Sequence, residues 1–150
     1  MNDYLGTIAT NKALVRTLYE DCINGRDLDR LETLIAPDFA GPRGERGPRE
    51  FRATIEAVLT GFPAVRFELH DLIGEADRVA VRWTFRAVHG GRFVGLKPSL
   101  AEVTQEGNVI YQLRDGLIVR AWLQADRLGV LQQIGAVPRT FAEAAGPRPI

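Results

Sequence analysis

The sequence predicts an α+β domain, and three observations carry that prediction. Apolar residues recur at helical spacing up to residue 61. From residue 65 the period changes to two, the spacing of half-buried strands. The tripeptide Arg114-Asp115-Gly116 then divides two alternating runs with a turn short enough for a hairpin. Helices first and antiparallel strands after place the helices on one face of a curved sheet, a geometry that leaves room for an apolar cavity between the layers.

Composition bounds the rest. The 150 residues fit one domain with a single core, and 45% hydrophobic with 25% charged residues is an ordinary globular mixture. Basic and acidic side chains balance at 19 each, which argues against a dedicated nucleic-acid or membrane-surface binder. A single cysteine, Cys22, excludes an intrachain disulfide and fits a reducing, cytoplasmic setting. No signal peptide and no membrane span is expected. The two histidines, His70 and His89, lie on separate predicted strands with no cysteine nearby, so no metal site is expected.

In chain order, residues 1–10 read as a lead-in, 11–136 as the domain, and 137–150 as a proline-containing tail. Leu14, Leu18 and Cys22 give residues 11–23 a helical stripe, which Asn24-Gly25 stops through the left-handed conformation glycine tolerates. Asp27 caps a second helix to about residue 35, ended by Pro37. Residues 39–47 read as a loop. Arg43, Arg46, Arg49 and Arg52, in and just after this loop, suit an anionic substrate or carrier, but the interleaved Glu45 and Glu50 favour a solvated segment. Gly47-Pro48 opens a third helix, with Phe51, Ile55, Val58 and Leu59 as its apolar stripe.

Strands follow at residues 65–73, 78–89, 102–113 and 117–125, with a short edge strand proposed at residues 92–94. In the clearest of them Val79, Val81, Trp83, Phe85, Ala87 and His89 share one face. If Phe67, Leu69, Asp71 and Ile73 point inward, Asp71 is interior and His70 is surface. In the last strand Ile118, Trp122, Gln124 and Asp126 share one parity. Asp126 therefore has two readings. It is the N-cap of a short helix at residues 127–134, or a carboxylate base in an apolar pocket beside Trp122.

The stretches NKALVRTLYEDCINGRDLDRLETLIAPDF, GPREFRA, FPAVRFELHDLIGEADRVAVRWTFRAVHGGRFVGLKPS and YQLRDGLIVRAWLQADRLGVLQQIG together resemble the SnoaL-like polyketide cyclase and ester cyclase group of the NTF2-like superfamily. The resemblance implies a cone in which N-terminal helices pack on a curved, mostly antiparallel sheet around a cavity. It also implies a homodimer formed through the sheet face. In the cyclases an acid at the end of the last strand serves an intramolecular aldol reaction, and Asp126 is similar in position. The chain departs from the pattern at Ala40-Gly41, where relatives often carry Asp-His. It departs again where an acid–His pair would place the histidine, a position that counting back through the hairpin gives to Gln112. His89 matches a histidine common in the wider family.

The resulting expectation is a cofactor-independent acid/base enzyme acting on a polyketide-like or other cyclic carbonyl compound. Asp126 is its acid/base, with Gln112 and His89 as polarising groups; Trp83, Phe85, Trp122, Tyr19 and Phe51 line the cavity. Hydrolysis of an epoxide or ester, a double-bond shift, and non-catalytic binding of an apolar metabolite are the alternatives, because fold does not fix function.

Overall fold

The computed structural model describes residues 2–140. The last ten residues of the expected tail lie outside the described residues. Helix α1, Asn2–Thr17, opens the chain and takes in most of the expected lead-in. It runs on without a break into a π-helical segment, Leu18–Asn24, whose Leu18, Tyr19, Cys22 and Ile23 are buried. The wider turn of a π segment re-aims side chains, and such segments gather at functional sites. Here it carries Tyr19 into the interior.

The exit from this helix differs from the expectation. Gly25 has φ −80° and is not left-handed; a Cβ there would lie 2.2 Å from the Asp21 carbonyl oxygen, so closeness rather than φ demands glycine. Arg26 takes the left-handed turn, at φ 60°. Its guanidinium holds that conformation by donating to the Ile23, Pro63 and Val65 carbonyls at 2.6 to 2.8 Å.

Helix α2, Leu28–Thr33, starts on Asp27, whose side chain accepts from the Arg30 amide at 3.2 Å. It ends before Pro37, because Ile35–Ala40 forms an unpredicted strand, β1. β1 pairs in parallel with the last strand, at the edge where a proline costs no ladder bond. Helix α3, Gly47–Gly61, follows with Pro48 in its first turn. Strands β2, Arg66–Glu75, β3, Arg78–Val88, β4, Glu102–Arg114, and β5, Leu117–Ala125, are joined antiparallel in sequence, and the sheet order is β1-β5-β4-β3-β2. Helix α4, Arg127–Gln133, closes the fold. Phe93 makes one isolated bridge to Leu96, not an edge strand. No helix among the described residues is long and apolar enough to cross a membrane.

Asp115 and Gly116 both have positive φ, 52° and 74°, so the β4–β5 hairpin uses a two-residue primed turn whose twist matches that of its strands. Two amide side chains join helices to open strand backbone. Asn24 exchanges bonds of 2.8 Å with the N–H and C=O of Phe67 on β2. Gln133 does the same for Thr104 on β4, at 2.8 and 2.9 Å, beyond the point where β5 stops pairing. Each amide satisfies backbone groups that a neighbouring strand would otherwise take.

Two bulges decide which side chains face the helices. Leu69 pairs with Trp83 and Asp71 with Arg82, leaving His70 as the extra residue of β2. Gln112 pairs with Arg120 and Leu113 with Ile118, leaving Val119 as the extra residue of β5. Each extra residue reverses the alternation beyond it. Asp71 and Ile73 consequently point outward, and Asp71 pairs with Arg82 at 2.7 Å. On β5, Ile118 faces the core, but so do Ala121, Leu123 and Ala125, while Trp122, Gln124 and Asp126 turn away.

Candidate functional site

The helices and the concave face of the sheet enclose an apolar cavity of about 120 Å³. Phe51, Ile55 and Val58 of α3 form one wall, and Phe67, Trp83, Phe85 and Val109 of the sheet form another. The aromatic side chains brace one another edge to face, with Phe67 4.8 Å from Trp83 and 5.5 Å from Phe85. Gly107 makes room for the indole: a Cβ on it would lie 2.5 Å from the Trp83 ring, its cross-strand partner.

Two phenols and this indole meet at the cavity wall. Tyr19 Oη lies 2.6 Å from Tyr111 Oη, and Trp83 Nε1 donates to Tyr19 Oη at 3.1 Å. An indole N–H can only donate, so the Tyr19 oxygen accepts from it. The two phenols own two protons and their mutual contact uses one. Whichever way that bond runs, one O–H is left without an acceptor among the described residues. Burial pushes the Tyr19 hydroxyl up to about 12, against smaller opposing effects of its bonds to Tyr111 and Trp83. Burial first, then Tyr19 itself, raises Tyr111 well above the ordinary phenol value. Both are neutral donors at any physiological pH, suited to polarising a carbonyl.

Arg43, Glu45, Thr54, Gln105 and Arg127 add polar side chains to the wall. Gln105 points inward from β4, and its amide has no hydrogen-bond partner among the described residues. Glu45 is the carboxylate of the wall; it accepts from the Arg43 amide at 2.7 Å and from the Thr54 hydroxyl at 3.2 Å. A Cβ on Gly41 would fall 2.8 Å from Glu45 Oε1, so Gly41 leaves space for this carboxylate. Arg127 joins from the start of α4, its guanidinium 4.6 Å from the Phe93 ring.

The expected site residues divide. Tyr19, Phe51, Trp83 and Phe85 lie on the cavity wall. Asp126 does not. It is exposed and caps α4, accepting from the Gly129 amide at 2.9 Å, because the bulge at Val119 moved its parity to the outer face. Trp122 moved with it: 36% exposed, it lies on the outer face between the Arg78 and Arg120 guanidinium groups, each 4.9 Å away. Gln112 is also on the outer face, donating to Asp77 at 2.9 Å. The residues across from the end of β5 are Glu106 and Gly107, since Asp126 N bonds to the Glu106 carbonyl and Ala125 pairs with Gly107. His89 is 1% exposed but off the cavity wall; its ring packs 5.6 Å from Phe62, and its Nδ1 accepts from the Ser99 amide at 3.1 Å. Its Nε2 is buried without a partner among the described residues.

Tyr111 and Gln105 share the parity of Val103, Val109 and Leu113, so strict alternation along β4 would have found both. Nothing local distinguishes Glu45 or Arg127, which chain reversals bring to the site. Among the described residues no cluster of His, Cys, Asp and Glu could hold a metal ion.

An open, curved, mixed sheet cradling helices around an aromatic pocket is the NTF2-like form of the α+β class. Within it, this chain belongs to the SnoaL-like polyketide cyclase family, whose family model matches residues 13–134. It is similar to a protein of Jannaschia sp. CCS1 provisionally described as a SnoaL-like polyketide cyclase, with a TM-score of 0.80 and 23% identity over 87% of this chain and 94% of that one. It is similar to AclR of Streptomyces galilaeus, provisionally described as a hydroxylase, with a TM-score of 0.79 and 26% identity over 92% and 90% of the two chains. It is also similar to IdmH of Streptomyces antibioticus, provisionally described as a polyketide cyclase, with a TM-score of 0.72 and 26% identity over 83% and 98%. No curated protein sequence matches it.

Proposed function

We propose that this chain binds a polyketide-like or other cyclic carbonyl compound in the aromatic cavity and catalyses an aldol-type ring closure by acid/base chemistry. Such a closure takes a proton from a carbon flanked by carbonyls, forms a carbon–carbon bond from the enolate to a second carbonyl, and returns a proton to the new alkoxide. It needs a base, an oxyanion donor and exclusion of water, and its protons balance without an oxidant. The observation that carries the reading is the spare phenolic proton of the Tyr19–Tyr111 pair, held by Trp83 against an apolar cavity. Glu45 is the base in this proposal, because Glu45 lines the cavity whereas Asp126 lies on the outer face of the fold. Gln105 supplies a second group for a substrate carbonyl.

The test is turnover of a linear poly-β-carbonyl substrate by the native chain and two variants. Glu45→Gln is expected to lose on the order of 10²–10⁴ in kcat. Asp126→Asn, which keeps a capping side chain, is expected to retain full activity. Turnover that survives Glu45→Gln and disappears in a folded Asp126→Asn would overturn this choice of base in favour of Asp126.

A second reading, binding without catalysis, is favoured by one observation: neither Asp126 nor His89 lies on the cavity wall. Tight ligand binding, unchanged product analysis and no effect of Glu45→Gln would establish it.

A further inference from the structure

Beside the cavity lies a second recess with a different chemistry. This cleft, of about 350 Å³, is walled by Arg43, Arg92 and Arg127 together with Thr54 and Thr60, and no carboxylate among the described residues belongs to it. It shares Arg43, Thr54, Val58, Phe93 and Arg127 with the aromatic cavity, so the two adjoin across a common wall, one apolar and the other cationic. The arginines come from three separate segments: the loop before α3, the connection after β3, and the start of α4.

Elsewhere in the fold arginines meet acids, as in Arg16–Glu20, Arg52–Asp29, Arg82–Asp71 and Arg114–Asp38. Among the described residues, the guanidinium groups of Arg43, Arg92 and Arg127 have no carboxylate oxygen within 4.0 Å. Glu45, the acid of the adjoining cavity wall, has its oxygens engaged by the Arg43 backbone amide and the Thr54 hydroxyl. Arg92 donates only to the Gly95 carbonyl, at 3.1 Å, and Arg127 lies over the Phe93 ring. Burial, and then the charge of Arg43, lowers the pKa of Arg127. Like charges gathered at one half-buried mouth raise its free energy, and an anion placed between them relieves that repulsion while accepting fork-shaped guanidinium bonds.

The geometry points to an anion subsite at the cavity mouth, formed by Arg43 and Arg127 with Arg92 at its edge. The ligand is therefore amphipathic, with an apolar body in the aromatic cavity and a carboxylate or phosphate at the arginines. The inference rests on the reading that the cavity holds the substrate body. A carboxylate would come from the substrate's own acid end; a phosphate would come from a phosphorylated carrier to which the substrate is still attached.

Calorimetric titration with three matched probes tests it: 2-naphthoate, 2-naphthyl phosphate and the uncharged methyl 2-naphthoate. In the native chain at least one anion is expected to bind about tenfold or more tightly than the ester, with an advantage that falls as salt is raised. A phosphate that outbinds the carboxylate identifies the carrier-linked source, and the reverse identifies the free acid. In Arg43→Gln/Arg127→Gln the ratio of anion to ester affinity should collapse to within about twofold, whatever the ester's own Kd becomes; the exposed single variant Arg43→Gln should give a partial loss of that ratio. The distant Arg114→Gln should keep the full preference. An ester that binds as well as both anions, or a preference that survives the double substitution, overturns the subsite but leaves the cavity reading standing. Failure of all three probes to bind overturns both.

Discussion

At the scale of single residues, the buried polar contacts of the cavity wall concentrate in three side chains that hold one another. Tyr19 accepts the Trp83 N–H and contacts the Tyr111 hydroxyl, so each member has a distinct loss when truncated. Tyr19→Phe strands a buried indole donor and is expected to cost about 1–3 kcal/mol in a urea titration. Tyr111→Phe leaves the Trp83 bond intact, and its effect should fall on turnover, by roughly 10²-fold, if the pair polarises a carbonyl as proposed. The same network sets an alkaline limit on stability. The Tyr19 hydroxyl is raised from 10.0 to about 12 on folding, so the folded state holds its proton more tightly than the unfolded chain does. The stabilisation is whole below the unfolded value and is lost as pH rises through the folded one. A decline of about 2–3 kcal/mol above about pH 10 follows. Denaturant midpoints measured from about pH 8 to about pH 11 should fall for the native chain and flatten in the Tyr19→Phe/Tyr111→Phe variant.

At the scale of elements, the strands explain both what the sequence disclosed and what it concealed. Alternation along β3 placed Trp83 and Phe85 on the cavity face without ambiguity, since β3 has no interruption against β4 over its whole length. Helical spacing placed Tyr19 and Phe51 equally well. The two interrupted strands behave differently. One extra residue at His70 and one at Val119 send Asp71 and Asp126 to the outer face, and neither bulge has a local signature such as a glycine at the extra position. β1 was hidden for another reason: Pro37 reads as a helix stop, whereas the parallel pairing of Ile35 with Ile118 is a contact distant in sequence. Two predictions belong here. Asp126→Ala removes the cap of α4 and should lower stability by about 1 kcal/mol with cavity binding unchanged, as urea titration and ligand titration would report. Gly107→Ala drives a methyl into the Trp83 ring and should cost about 1–3 kcal/mol, with a shift in Trp83 fluorescence; a variant as stable as the native chain would show that the indole has room to move.

At the scale of the whole molecule, the bulges give the sheet a second apolar surface, on the face away from the helices. Ile73 pairs with Ala80, Ala80 with Ile110, and Ile110 with Trp122, so one row of apolar side chains crosses β2, β3, β4 and β5. Ile73 is 64% exposed, Ile110 42% and Trp122 36%, an unusual run of large apolar groups to leave in water. Most of the charges around it are paired, Arg82 on Asp71, Arg86 near Glu68 and Arg78 near Asp77, while Arg120 lies over the Trp122 ring with no acid within 4.0 Å among the described residues. A two-fold axis would bring this self-complementary row against its own copy. We propose that the outer sheet face forms a homodimer by burying this row. Because the row lies on the opposite side of the sheet from the cavity, assembly and ligand binding should separate under mutation. Light scattering on the eluting native chain is expected to give twice the mass of the single chain. Ile110→Glu/Trp122→Glu places carboxylates at the centre of the row and should yield a monomer that keeps its affinity for the naphthyl probes. A native chain that is monomeric at all accessible concentrations would refute the dimer, and a mutant that dissociates and loses ligand together would mean that the face supports the cavity across the sheet.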